Sequence, residues 1–119
     1  MKIRSVVALF AVAGLLSIAH TASAARTGIN LSISDITVEG ANDRARIFIP
    51  AGLSGTAPAA CATNPNHFAI DLTTNKGRAQ FSIAESAILS GRQIYVTGGT
   101  TCLTVGSLNL QVLDQITII

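Results

Sequence analysis

The chain has 119 residues, 49% hydrophobic, 12% charged and 4% aromatic, which is room for one domain and not two. Lys2 and Arg4 carry the whole formal excess of +2, and the remaining basic and acidic residues balance. A neutral body argues against a strongly basic nucleic-acid binder and against steering of polyanions.

Residues 1–24 read as a bacterial secretory signal peptide. Lys2 and Arg4 give a positive start, an apolar run follows from Val6 to Ile18, and Ala22-Ser23-Ala24 supplies a small-x-small cleavage pattern. That run is shorter than the roughly 20 residues a membrane span needs. No Cys stands at the cleavage point, so no lipid anchor is expected. The mature segment, 25–119, is expected to be a single soluble domain in the periplasm or secreted, with no membrane insertion.

From Ile29, apolar Ile29, Leu31 and Ile33 alternate with Asn30, Ser32 and Ser34, the period of a half-buried strand. The phase slips at Asp35, after which Ile36 and Val38 carry the apolar face. One extra residue near Ser34-Asp35, as in a β-bulge, would bend one long strand there. Two separate short strands are the alternative, although no Gly or Pro divides them. Gly40-Ala41-Asn42-Asp43 is a turn. In the second strand Ala45, Ile47 and Ile49 alternate with Arg44, Arg46 and Phe48, and Pro50 ends it.

Residues 51–66 are small, with Gly, Pro and Asn throughout, and read as a loop. Cys61 lies in it. A third strand follows, with Phe68, Ile70 and Leu72 on one face and His67, Ala69 and Asp71 on the other. The period then changes. Thr74 or Asn75 can cap a helix over 77–90, with Ala79, Ile83, Ala84, Ala87 and Ile88 on one stripe and Gly91 as a left-handed C′ residue. A fourth strand runs from Arg92 to Thr97, with Ile94 and Val96 on one face and Tyr95 on the other. Gly98-Gly99 is expected to turn the chain. A fifth strand begins at Leu108 and runs toward Ile118, with a break near Asp114 an open alternative.

Cys61 and Cys102 are the only cysteines. In an exported chain they are expected to form a disulfide, free buried thiols being the alternative. The expected fold is mainly β with one helix, in the order strand-strand-strand-helix-strand-strand. That is the plan of a five-stranded OB-fold-like Greek-key barrel, in which a bend lets the first strand serve both halves.

The segment Cys61–Thr104 contains HFAIDLTTNKG, a helix, SGRQIYVTGG and TTC. It resembles a group of small exported bacterial OB-fold proteins of unknown function. More distantly it is similar to the B subunits of subtilase-type AB toxins, which form rings of OB-folds and bind glycans. The resemblance implies a recognition module that takes a glycan or a protein and assembles as a homo-oligomer. The toxin subunits commonly use aromatic groups. This chain has no Trp, and Tyr95 is its only Tyr.

No catalytic motif stands out, and the chain is read as not an enzyme. His67 and Asp71 share a strand face but lie roughly 13 Å apart along it. Ser54 could complete a triad only by coincidence of folding, and no GxSxG motif is present. Gly98-Gly99-Thr100-Thr101 lacks the Lys of a phosphate loop. His67 is the only His after the signal peptide and no CxxC pair exists, so no metal and no cofactor is expected. Nucleic-acid binding would need a positive groove with stacking platforms. Arg44, Arg46, Phe48 and Tyr95, all outward in this phase, form the candidate binding surface, the arginines for a phosphate or carboxylate. Ile118 and Ile119 are the candidate subunit contact, barrel closure being the alternative. Three readings follow in order: an oligomeric toxin-B-subunit-like binding module, a monomeric periplasmic structural or interaction protein, and a small hydrolase.

Overall fold

The computed structural model describes residues 26–53 and 59–119. The expected signal peptide and Ser54 lie outside them. Six strands and one helix follow in chain order: β1 (Thr27–Leu31), β2 (Asp35–Glu39), β3 (Arg44–Phe48), β4 (His67–Asp71), α1 (Asn75–Ser90), β5 (Ile94–Val105) and β6 (Leu108–Ile118). They form one mixed sheet in the order β1-β5-β6-β4-β3-β2. All neighbours are antiparallel except β4 and β6, which run parallel.

The strand count corrects the expected five to six. The first long strand is two strands, β1 and β2, separated by residues 32–34. Asn30 takes a left-handed backbone, φ 57°, which Asn tolerates better than most residues. The β1–β5 register shifts between Gly28 and Leu31. The alternation expected from Ile29 to Ile33 therefore fails at its first member. Ile29 is 63% exposed, while Leu31 and Ile33 are buried. β1 and β2 occupy the two ends of the sheet order although they are consecutive in the chain.

Gly98-Gly99 is not a turn. β5 runs straight through it, and the β5–β6 ladder shifts on both sides of Gly98. Glycine in a strand interior marks a bulge or a close approach, and here it marks both. A Cβ on Gly98 would lie 2.8 Å from the side-chain amide of Gln111. The chain turns instead after Val105, where Gly106 has φ 62°. β6 is continuous through Asp114, with a one-residue register slip there.

Thr74 caps α1 as expected, its Oγ1 accepting from the Gly77 amide at 2.9 Å. Gly91 ends the helix with φ 64°, its N–H reaching the Ala87 and Ile88 carbonyls. The helix lays Ala84 and Ala87 on a core built from Ile47, Ile49, Phe68, Ile70, Ile94, Val96 and Leu113. Ala69, which alternation places on the opposite side of β4, is also fully buried, in a second cluster with Val105 and Leu110. The tip of the β5–β6 hairpin reaches back over that side. Arg44 Nη1 donates to the Thr104 carbonyl at 2.6 Å, and the Gly106 amide donates to Glu39 Oε2 at 2.9 Å.

Cys61 and Cys102 are joined by a disulfide, Cα–Cα 6.1 Å. It ties the loop before β4 to the far half of β5. Arg26 secures the same loop, its guanidinium donating to the carbonyls of Leu53 and Pro65.

Candidate recognition surface

Three short strands fix which side chains share the face away from α1. Ala45, Ile47 and Ile49 point into the core beneath the helix, so Arg44, Arg46 and Phe48 point the other way. The β2–β3 and β3–β4 registers then set three rows across the face: Asp35, Phe48 and His67; Thr37, Arg46 and Ala69; and Glu39, Arg44 and Asp71. Phe48 and His67 stack with ring centroids 4.5 Å apart and planes 20° from parallel.

Each row has a different electrostatic character. Arg44 stands between two carboxylates and also serves the Thr104 carbonyl. Arg46 stands between Thr37 and Ala69, and its buried Nε has no hydrogen-bond partner. His67 lies below its ordinary pKa, first because burial disfavours its charged form, then because Arg46 repels it; Asp35 pulls the other way. At neutral pH the imidazole is therefore uncharged.

Tyr95 does not join this group. It pairs across β6 with Thr117, while the β6 positions beside β4 are Gln111 and Val112. Five residues along a strand is roughly 16 Å, before the intervening strands are counted. The Tyr95 hydroxyl instead accepts from Thr97 Oγ1 at 3.3 Å. Ile118 is partly buried against the main core, whereas Ile119 is 44% exposed.

His67 has Phe48 against its ring. The Asp71 carboxylate accepts from the amide and hydroxyl of Thr73, which hold it below the usual carboxylate range. Among the described residues, no three His, Cys, Asp or Glu side chains converge as a metal site would require, and no helix is long and apolar enough to cross a membrane.

Two concavities lie elsewhere. A cleft of about 310 Å³ opens at the start of α1, between Thr74, Gly77, Gln80 and the bulge of β5 at Gly99–Thr101. Lys76 and Asp114, 3.0 Å apart, are both in its lining. A mostly apolar groove of about 290 Å³ runs between α1 and the edge strand β2, lined by Ile36, Val38, Phe81, Glu85, Ile88 and Leu89.

Sequence reasoning named Arg44, Arg46 and Phe48 but treated His67 only as a catalytic candidate and passed over Asp35. No local signal reveals that these residues share rows, because rows are set by register between strands. Gln80 was also missed. Its Nε2 donates to the Leu113 and Asp114 carbonyls. Its spacing of four and seven from Ala84 and Ala87 was a usable signal, since it places Gln80 on the same helical stripe. Comparison with protein-family models, curated proteins and solved structures gives no match.

Proposed function

We propose that this chain is an exported, non-catalytic binding module whose recognition surface is the part of the β2-β3-β4 face around Arg46, Phe48 and His67, beside the hairpin tip. One observation carries the reading. Arg46 and the Phe48–His67 stack stand half-buried together on one face. Aromatic and Arg side chains are the types that anchor partners at interfaces. The disulfide supports an extracytoplasmic setting, where such bonds persist.

The proposal includes an OB-fold-like barrel. What supports it is the placement of β1 and β2 at opposite ends of the sheet order. A chain bent at residues 32–34 can bring those two edges together, which removes free edges. The parallel β4–β6 pair and the helix between β4 and β5 fit the same plan. By this reading the chain resembles toxin B subunits in architecture, and its partner is a glycan or a protein. Assembly with identical copies belongs to the toxin-like form, and the exposed Ile119 is the contact to test for it.

The test has two arms. Light scattering on the mature, oxidised protein across a dilution series reads the assembly. A ring supports the toxin-like form, and a monomer at all concentrations leaves a periplasmic interaction protein. A panel of immobilised glycans and envelope proteins, probed with wild type and Phe48→Ala, reads the surface. Binding that Phe48→Ala loses supports the module. Panel binding that Phe48→Ala leaves untouched removes this face, and hydrolysis abolished in a folded His67→Ala overturns the non-catalytic reading.

A further inference from the structure

We propose that Arg46 anchors an oxyanion-binding site on this face, its guanidinium fork taking a carboxylate or phosphate group of the ligand. The inference rests on the reading of the face as a recognition surface and names the chemistry recognised there.

The two arginines of β3 differ in what surrounds them. Arg44 is flanked in its row by Glu39 and Asp71 and donates to Thr104. Two carboxylates neighbour its charge, and one arm of its fork, Nη1, is in use. Arg46 is flanked by Thr37 and Ala69, neither charged. The nearest carboxylates are one row away on the diagonal, and two of the three are occupied. Glu39 accepts from Asn42 Nδ2 and the Gly106 amide, and Asp71 accepts from Thr73. Asp35 is the third. Among the described residues the one ion pair lies elsewhere, between Lys76 and Asp114.

Arg46 Nε is buried with no acceptor. A buried donor left unmet is costly, and most such groups find a partner. Nε and a terminal Nη of one guanidinium lie side by side with the spacing that a carboxylate or phosphate takes up through two parallel hydrogen bonds. Seating such a group needs a rotation of the half-buried side chain that uncovers Nε. Binding and uncovering are therefore coupled. Partial removal from water strengthens the pairing relative to a fully solvated Arg. Two residues further along the same face, about 7 Å away, the Phe48–His67 stack gives an apolar flank for the rest of the ligand.

The charges facing the His67 ring are Arg46 and Asp35. An oxyanion on Arg46 would offset the repulsion that helps hold His67 neutral. Occupancy is thus read at a neighbour that never touches the anion.

The experiment uses the mature, oxidised, ¹⁵N-labelled protein, titrated at pH 7 with sodium phosphate or with sodium acetate. Sodium chloride at matched ionic strength is the baseline. Two signals are followed, the Arg46 Nε–H resonance and the His67 titration midpoint. The expected result is a saturating Nε shift with at least one oxyanion, in the millimolar range, and a rise in the His67 midpoint. Saturation by phosphate alone assigns a phosphoryl ligand, and by acetate alone a carboxylate. Arg46→Lys, which keeps the charge but loses the fork, should bind about tenfold more weakly with an unchanged amide fingerprint. Chloride-like drift with both salts overturns the proposal, and so does an anion-induced rise of the His67 midpoint that a folded Arg46→Lys retains in full. Drift of that kind alongside panel binding lost in Phe48→Ala would remove the anchor alone and leave the recognition surface standing.

Discussion

The rings of Phe48 and His67 stand 4.5 Å apart because β3 and β4 pair them directly across the sheet. One is aromatic and apolar, the other titratable, so the pair couples packing to pH. Replacing Phe48 with Ala removes the stack and wets the imidazole. Aromatic pairs contribute about 0.5–1.5 kcal/mol beyond their area, so Phe48→Ala should cost about 1–2 kcal/mol in urea unfolding. The His67 midpoint should rise toward its ordinary value, as followed by ring proton resonances.

Stability should also depend on pH through His67. Its folded pKa lies below its unfolded one, first through burial and then through Arg46. The unfolded chain binds the proton more readily in that window. The contribution is therefore complete above about 6.5 and is lost as pH falls from there through the folded value. Urea midpoints at pH 7.5 and pH 5 should differ, and His67→Gln should reduce the difference. Asp71, held down by Thr73, acts in the same direction only further into the acid range.

Gly77 and Gly98 separate two kinds of crowding. A Cβ on Gly77, in the first turn of α1, would lie 1.7 Å from the Asp71 carbonyl oxygen, a backbone atom. Helix propensity alone favours Ala over Gly by about 1 kcal/mol. The clash reverses that preference, because the start of the helix would have to leave β4. Gly77→Ala is expected to destabilise by about 1–3 kcal/mol. Gly98→Ala meets the end of the Gln111 side chain and not backbone, and should cost less. Thermal melts of the two variants against wild type give the order.

The disulfide closes a loop of 41 residues. In the chain-entropy model that constraint is worth roughly 4 kcal/mol, a large share of the 5–15 kcal/mol typical of a domain. The double variant Cys61→Ser, Cys102→Ser should lose about that much in urea. Wild type treated with a thiol-blocking reagent, unfolded but not reduced, should gain no label; labelling of both cysteines there would remove the staple from the account.

Where a signal is local, the sequence carries it well. Thr74, the Ala84–Ala87–Ile88 stripe and Gly91 together mark α1, whose start at Asn75 lies only two residues before the expected one. Alternation along Arg44–Phe48 is correct in both faces. Two local patterns fail, at Ile29 and at Ala79, both exposed, and the other misses are relations between distant segments. Gly98-Gly99 looks like a turn in isolation, and it is a bulge because Gln111 of β6 packs where a side chain would stand. Ala69 stands between His67 and Asp71 on one strand face and is fully buried, because the hairpin tip covers it.

Composition, charge balance and period by themselves determined a mainly β domain with one capped helix and a pair of cysteines suited to a disulfide. Those properties follow from the local geometry of each residue and from what it costs to leave its side chain in or out of water. Only the tertiary structure decided which outward residues form a surface. Strand alternation gives a face but not a neighbour. Register gives Arg44 two carboxylates and leaves Arg46 with none, and it sets His67 against Phe48 while holding Tyr95 strands away. Two arginines that are equivalent in sequence thereby become a balanced charge and an unmet donor.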